Sequence, residues 1–288
     1  MGLWRVAIDG TPRFAIGPPD RGPQHLLDAS LTLAHLLGPQ EPSLGDLTEL
    51  NHHGAVPRDA KLLTPVDAQP IWAAGVTFER SREARNEEAV SGECYDLVYE
   101  AERPELFFKA LPGEARGPDE PIGIRFDSTW DVPEPEVGLV VDHTGYIAGY
   151  VLANDVSSRS IEGENPLYLP QGKIYEGSCS LGPCVIPIDH APEFESIEMT
   201  LTINRQGSVL YKDTVPLSRM RRRPQELVDW LFRALRFPFG AVLLTGTSIV
   251  PGPEVSLRPD DEVIVAGRPL GALRNRVEVV GSAGRTMK

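Results

Sequence analysis

The 288-residue sequence predicts an α+β fold, and three observations carry that prediction. Strand-like runs dominate and adjoin one another, where a parallel doubly wound sheet would alternate them with helices. Only "PQELVDWLFRALRF", residues 224–237, has the strong 3.6-residue apolar period of an amphipathic helix. The 27 prolines and 27 glycines punctuate the chain at the corners between runs.

Each element follows from local pattern. "LWRVAIDGTPRFAIG" has two β-like runs around Asp9-Gly10, which predicts a hairpin. "SLTLAHLLG" reads as a short helix with Ser30 as N-cap and Gly38 as stop. A buried strand is expected through Ile71–Val76, and the charge-rich stretch after it, residues 79–105, reads as helical for most of its length. "LFFKA" is another strand, and residues 130–216 are mostly strands and turns, including a hairpin turning at Arg205–Gly207. The 224–237 helix should bury Leu227, Trp230, Leu231, Ala234 and Leu235. "AVLLTGT" and the two runs of "DEVIVAGRPLGALRNRVEVV" close the chain's strand set. The first 65 residues read as a small N-terminal α/β module and residues 66–288 as the main domain.

Composition excludes several classes. A formal net charge of -13 argues against nucleic acid, whose partners carry a basic footprint. No apolar segment approaches the ~20 residues of a membrane-spanning helix. The start "MGLWRVAIDG" lacks a basic stretch followed by a long apolar one, so no signal peptide is expected. Cys94, Cys179 and Cys184 are odd in number and lack metal-like spacing. The expectation is a reduced, cytoplasmic protein.

The stretch "DVPEPEVGLVVDHTGYIAGYVLANDVSSR", 131–159, concentrates the chemistry. Side chains alternate along a strand, so Glu134 and Glu136 share a face. "VDHTGY" signals a turn. If Val141 pairs with Tyr146, Glu134 faces Ala153, and Asp155 joins the glutamate face one diagonal step away. A one-residue slip would turn Asp155 away. Three converging carboxylates repel unless one is protonated or a cation joins them. A hard divalent ion, Mg²⁺ or alternatively Mn²⁺ or Ca²⁺, suits such a set. The same Glu-x-Glu alternation also occurs on the solvated face of an edge strand.

The segments "EPEVGLVVD", "YIAGYVLANDVSSR", "GKIYEGSCSLGPCVIP" and "AVLLTGTSIVPGPE", in this order, resemble the fumarylacetoacetate hydrolase family over roughly residues 66–281. The resemblance implies a mixed β-roll with flanking helices, a homodimer or homotetramer, and metal ligation by Glu134, Glu136 and Asp155. It places Lys173 in the substrate pocket. Family hydrolases commonly carry Asn-Tyr-x-x-His-x-x-Glu to activate water. Here Phe78, Ser81 and Ala84 stand at the Tyr, His and Glu positions. "WAAGVTFERSREAR", "VYEAERPELFFKA" and "RFPFGAVLLTGTSIVP" resemble instead the subgroup of 2-keto-3-deoxy-pentonate dehydratases. The implied reaction is metal-dependent loss of water from an arabinonate- or xylonate-derived 2-oxo acid, giving 2,5-dioxopentanoate.

That chemistry needs a proton-transfer group, for which Lys173 and Glu105 are the candidates. Lys173 serves equally as an ion-pair partner of the acids, and Glu105 as a surface residue before a strand. Arg159, Lys109, Thr245, Gly246, Thr247, Ser81 and Arg82 are substrate-side candidates. Their alternatives are surface ion pairs, a snorkelling lysine, a tight turn and a solvated helix face. The basic run "SRMRRRPQE" reads as solvated. Two other activities share the implied scaffold: hydrolysis or decarboxylation of an acylpyruvate or oxaloacetate-like acid, and 2-oxo-acid binding without turnover.

Overall fold

The computed structural model describes residues 1–88 and 93–282. It opens with β1 (Gly2–Ile8) and β2 (Thr11–Gly17), paired down to Ile8↔Thr11 across the expected turn. Asp9 and Gly10 have φ of 49° and 77°, as a type I′ hairpin requires. β3 (His25–Leu26), α1 (Leu33–Leu36) and β4 (Lys61–Leu63) follow. Thr32, not Ser30, caps α1 by accepting the His35 amide; Ser30 is drawn instead onto the Asp28 carboxylate at 2.6 Å.

β5 (Ile71–Gly75) leads into α2 (Glu79–Glu88) and α3 (Glu93–Glu100), then β6 (Glu105–Ala110). The stretch 79–105, expected to be helical for most of its length, is helical in α2 and α3; residues 89–92 lie outside the described residues. Next come β7 (Ile122–Arg125), β8 (Asp131–Val132), β9 (Pro135–Val141), β10 (Ile147–Asp155) and β11 (Ser157–Ser158). α4 (Arg159–Glu164) and α5 (Leu169–Lys173) precede β12 (Cys179–Pro187). The β13 (Glu198–Arg205) and β14 (Ser208–Pro216) hairpin is followed by α6 (Pro224–Phe232), β15 (Ala241–Leu244), β16 (Glu262–Arg268) and β17 (Gly271–Val280).

One sheet runs β3-β2-β1-β12-β10-β9-β15-β5-β6, with β4 also on β1; the second runs β14-β13-β16-β17-β7. The β15–β5 and β17–β7 pairs are parallel and the others antiparallel, so the architecture is the mixed α+β arrangement the sequence predicts. Between the sheets, Val137, Leu139 and Leu152 meet Leu201, Ile203, Val263 and Leu273. On the opposite face of β9 and β10, Val140, Val151 and Ala153 pack with Leu3, Phe14, Ile16, Leu33 and Leu37 from the N-terminal residues. By alternation, that second face also carries Glu134, Glu136 and Asp155.

α6 is shorter than its sequence pattern. Leu227, Val228 and Leu231 form its buried face. The helix ends at Phe232, whose ring lies 5.0 Å from that of Phe237, and this turn leaves Ala234 and Leu235 exposed. Trp230 is half-buried under the guanidinium groups of Arg103 and Arg233.

Candidate active site

The β9–β10 register brings the acids together by an unexpected route. Val141 pairs with Ile147, not Tyr146, because the Asp142 carboxylate gathers the Thr144 and Tyr146 amides and lengthens the turn. That shift alone would flip Asp155 to the other face. A bulge between Ile147 and Gly149 flips it back, so that Gly149 faces Val140 and Ala153 faces Glu136. The Asp155 amide donates to the Glu134 carbonyl at 2.9 Å. Asp155 therefore lies directly opposite Glu134, where the simple four-residue turn had placed it on the diagonal.

All seven residues of β9 are buried between β10 and β15, which rules out a solvated edge strand. Glu134, Glu136 and Asp155 are 4%, 1% and 1% exposed, and each offers an oxygen within 4.8 Å of the others. Three cations balance the three acids. Lys173 Nζ donates to Glu134 Oε2 at 2.5 Å, Asp155 Oδ2 at 2.9 Å and Ser157 Oγ at 2.5 Å. Lys109 Nζ lies 2.5 Å from Asp155 Oδ1 and also donates to the Lys173 and Val156 carbonyls. Arg159 Nη1 donates to Glu134 Oε1 at 3.0 Å. The Gly246 amide donates to Glu136 Oε2 at 2.6 Å.

Burial, followed by the charges of Asp155 and Glu134, pushes the Glu136 carboxyl well above the usual carboxylate range, against Lys173 and the Gly246 amide. A divalent cation among the same oxygens reverses that balance. The donor set fits such an ion: three hard oxygens fixed on two paired strands.

The acids floor a cleft whose walls include Lys173, Glu105, Ser81, Tyr95, Gly246 and Thr247. Ser81 and Tyr95 come from α2 and α3, and Glu105 begins β6. The free space is about 20 Å³, the room of roughly one water. Four residues expected beside the substrate are not among those that line this cleft. The Thr245 hydroxyl is spent on the Val137 carbonyl at 2.9 Å. Arg82 lies along the α2–α3 seam, against Glu79, Asp96 and the ring of Tyr99. Arg159 and Lys109 are buried behind Glu134 and Asp155, where they neutralise the acids without lining the cleft.

Sequence reasoning passed over Ser157, Asn154, Tyr95 and Thr77. Ser157 was findable, since two residues after Asp155 an extended chain presents the same face. Asn154 accepts the Glu134 amide at 3.0 Å through its side chain, a contact that no periodicity encodes. Within the basic run Arg219, Arg221 and Arg223 are exposed as expected, but Arg222 is 8% exposed and donates to the Val98 carbonyl in α3 and to the Ala101 and Glu102 carbonyls just past it.

With this geometry in place, comparison with known proteins gives concordant matches. The family described as fumarylacetoacetate (FAA) hydrolase C-terminal matches residues 83–278. A probable 2-keto-3-deoxyxylonate dehydratase of Haloferax volcanii is 49% identical over 222 residues, 77% of this chain and 76% of that protein. The 2-dehydro-3-deoxy-D-arabinonate dehydratase of Saccharolobus solfataricus is 41% identical over 219 residues, 75% of this chain and 74% of its own length. The solved structure of a 2-keto-3-deoxy-D-arabinonate dehydratase, complexed with magnesium and 2,5-dioxopentanoate, superposes with a TM-score of 0.84. It shares 32% identity and covers 98% of this chain and 100% of its own.

Proposed function

This chain belongs to the fumarylacetoacetate hydrolase C-terminal family, and on that premise we propose that it is a magnesium-dependent dehydratase. It converts a 2-keto-3-deoxy-pentonate to 2,5-dioxopentanoate. The observation that carries this reading is the buried Glu134–Glu136–Asp155 group flooring a cleft beside Lys173 and Glu105. Among the described residues lining that cleft none is a histidine, and Ser81 stands where family hydrolases place theirs.

Glu134, Glu136 and Asp155 would hold the magnesium ion, which supplies Lewis acidity to polarise the C2 carbonyl of a 2-oxo acid and acidify C3. Lys109 and Arg159 hold Asp155 and Glu134 in orientation from behind. Lys173 and Glu105 occupy the cleft wall, within reach of the proton traffic: one takes the C3 proton, and the other protonates the hydroxyl leaving C4. A C5 proton then moves to C3, and the resulting enol ketonises with a proton at C4. One water leaves and none attacks, so Ser81 in place of a histidine costs the reaction nothing. A five-carbon acid exceeds the free space, so the side chains that line it, Ser81 and Tyr95 among them, must yield to admit it.

The finer reading is a cytoplasmic homodimer or homotetramer. All three cysteines are free thiols, as a reducing compartment requires. Among the described residues no helix is long and apolar enough to cross a membrane. Exposed Leu111, Phe126, Leu167 and Val279 supply apolar surface for self-association.

The test is to incubate purified protein and Mg²⁺ with 2-keto-3-deoxyarabinonate, 2-keto-3-deoxyxylonate and an acylpyruvate. The expected result is 2,5-dioxopentanoate from at least one sugar acid, abolished by EDTA. Pyruvate released from the acylpyruvate, with no semialdehyde from either sugar acid, overturns the assignment.

A further inference from the structure

Outside the ring of charges, one buried hydroxyl reaches a magnesium ligand through a single peptide unit. The Gly246 amide donates to Glu136 Oε2 at 2.6 Å. At the other end of that same planar unit, the Thr245 carbonyl accepts the Thr77 hydroxyl, also at 2.6 Å. A peptide with both its N–H and C=O engaged cannot rotate freely, and each hydrogen bond polarises the other. Thr77 and Glu136 are thus linked through one peptide unit.

Two features of the backbone exist to make this contact. Gly246 has φ of 87°, and a Cβ there would lie 2.1 Å from the Thr77 hydroxyl oxygen, so only glycine leaves the hydroxyl room. Just past the end of the neighbouring β5, Val76 has φ of 54°, a conformation that a β-branched residue enters only under strain. Strain of this kind survives where the surrounding structure enforces it, and here it turns the chain out of β5 just before Thr77. The Arg221 amide then holds the Thr77 carbonyl at 3.0 Å, and Thr77 is 1% exposed. Both features converge on aiming one hydroxyl.

We propose that Thr77 is a positioning residue for Glu136, acting through the Thr245–Gly246 peptide to set the carboxylate for metal binding. The inference rests on the reading of Glu136 as a magnesium ligand, and its test separates the two. Thr77→Val deletes the hydroxyl at nearly constant shape, Thr77→Ser keeps it, and Glu136→Gln removes the ligand.

Mg²⁺ affinity of the metal-free proteins is measured by calorimetry, and the Mg²⁺ dependence of turnover alongside it. Thr77→Val is expected to weaken Mg²⁺ binding roughly 10- to 100-fold, the usual effect of losing an outer partner of a metal ligand. It should raise the Mg²⁺ concentration for half-maximal rate and leave kcat at saturating Mg²⁺ near wild type. Thr77→Ser should bind like wild type. Thr77→Ala serves as a second hydroxyl-free variant should the valine fold poorly, with the same expectation. Unchanged affinity in the hydroxyl-free variant, or equal loss in the serine variant, refutes the role of Thr77. If Glu136→Gln also binds Mg²⁺ like wild type, the metal reading fails instead.

Discussion

Asp131 lies just upstream of the carboxylate group and shows what burial does to an acid without a full complement of partners. It is 3% exposed, and burial pushes its carboxyl up to about 6, against Ser128 and Arg125. The sign follows from proton linkage. The folded protein keeps this proton up to about pH 6, whereas the unfolded chain releases it near pH 4, so folding takes up protons between those values. Stability contributed by the neutral carboxyl is therefore present at about pH 4 and lost as pH rises through about 6. A shift of about two units corresponds to about 3 kcal/mol. Urea unfolding of wild type and Asp131→Asn at pH 4.5 and 7 checks this. The asparagine variant should lose less stability between the two pH values than wild type does, and an identical loss would remove Asp131 as the cause.

At the scale of elements, the control point is the segment between β14 and α6. The guanidinium of Arg222 forks onto the Ala101 and Glu102 carbonyls at 2.6 and 3.0 Å and onto Glu226 at 2.7 Å. With the Val98 carbonyl, which it also reaches, the guanidinium serves backbone acceptors in the last turn of α3 and just past it. Beside it, Arg221 pairs with Glu100 through two hydrogen bonds and stacks on Tyr99. The chain between α3 and β6 is fixed by this clamp, and Glu105 begins β6. Arg222→Leu should cost about 1–3 kcal/mol of stability through unpaired buried carbonyls. It should also lower kcat, because Glu105 loses its anchored approach. Lysine at 222 should recover only part of either loss, since a point charge cannot serve a fork of acceptors. Denaturant unfolding and steady-state kinetics of the two variants give the comparison. Full stability in the leucine variant would show that water serves these carbonyls equally well.

For the whole molecule, we propose that residues 1–65 are a module that folds onto the main sheet and closes it. β1 hydrogen-bonds β12 at Leu3↔Val185, and Leu3, Phe14, Ile16, Leu33 and Leu37 share one core with Val140, Val151, Val242 and Leu244. The same face of β9 and β10 carries Glu134, Glu136 and Asp155 beyond that core. Removing residues 1–65 should expose this apolar face and leave a 66–288 fragment that is poorly soluble or melts without cooperativity, measured by sedimentation and thermal circular dichroism. A soluble fragment melting cooperatively near the full-length Tm would show that the module contributes little.

How much of this was legible beforehand differs by residue. Asp155 fell on the expected face although its assumed partner was wrong. The longer turn and the bulge each add one residue on the β10 side, and two such shifts restore parity. Alternation is robust in that way, because face depends only on odd or even count. Arg159 and Lys109 are expected toward the substrate, and nothing in their spacing says that they meet Glu134 and Asp155. Thr77 and Arg222 carried no local signal.

The chain's own order thus determined the hairpins, the α+β class and the common face of Glu134, Glu136 and Asp155, since each depends on short-range period and turn chemistry. Only the tertiary structure decided which cation meets which carboxylate, which carbonyls Arg222 serves and how Thr77 reaches Glu136. Those contacts join segments distant in sequence, such as Thr77 with Thr245 and Arg222 with Ala101. Periodicity says which way a side chain points, and only the packing of remote segments says what it meets there.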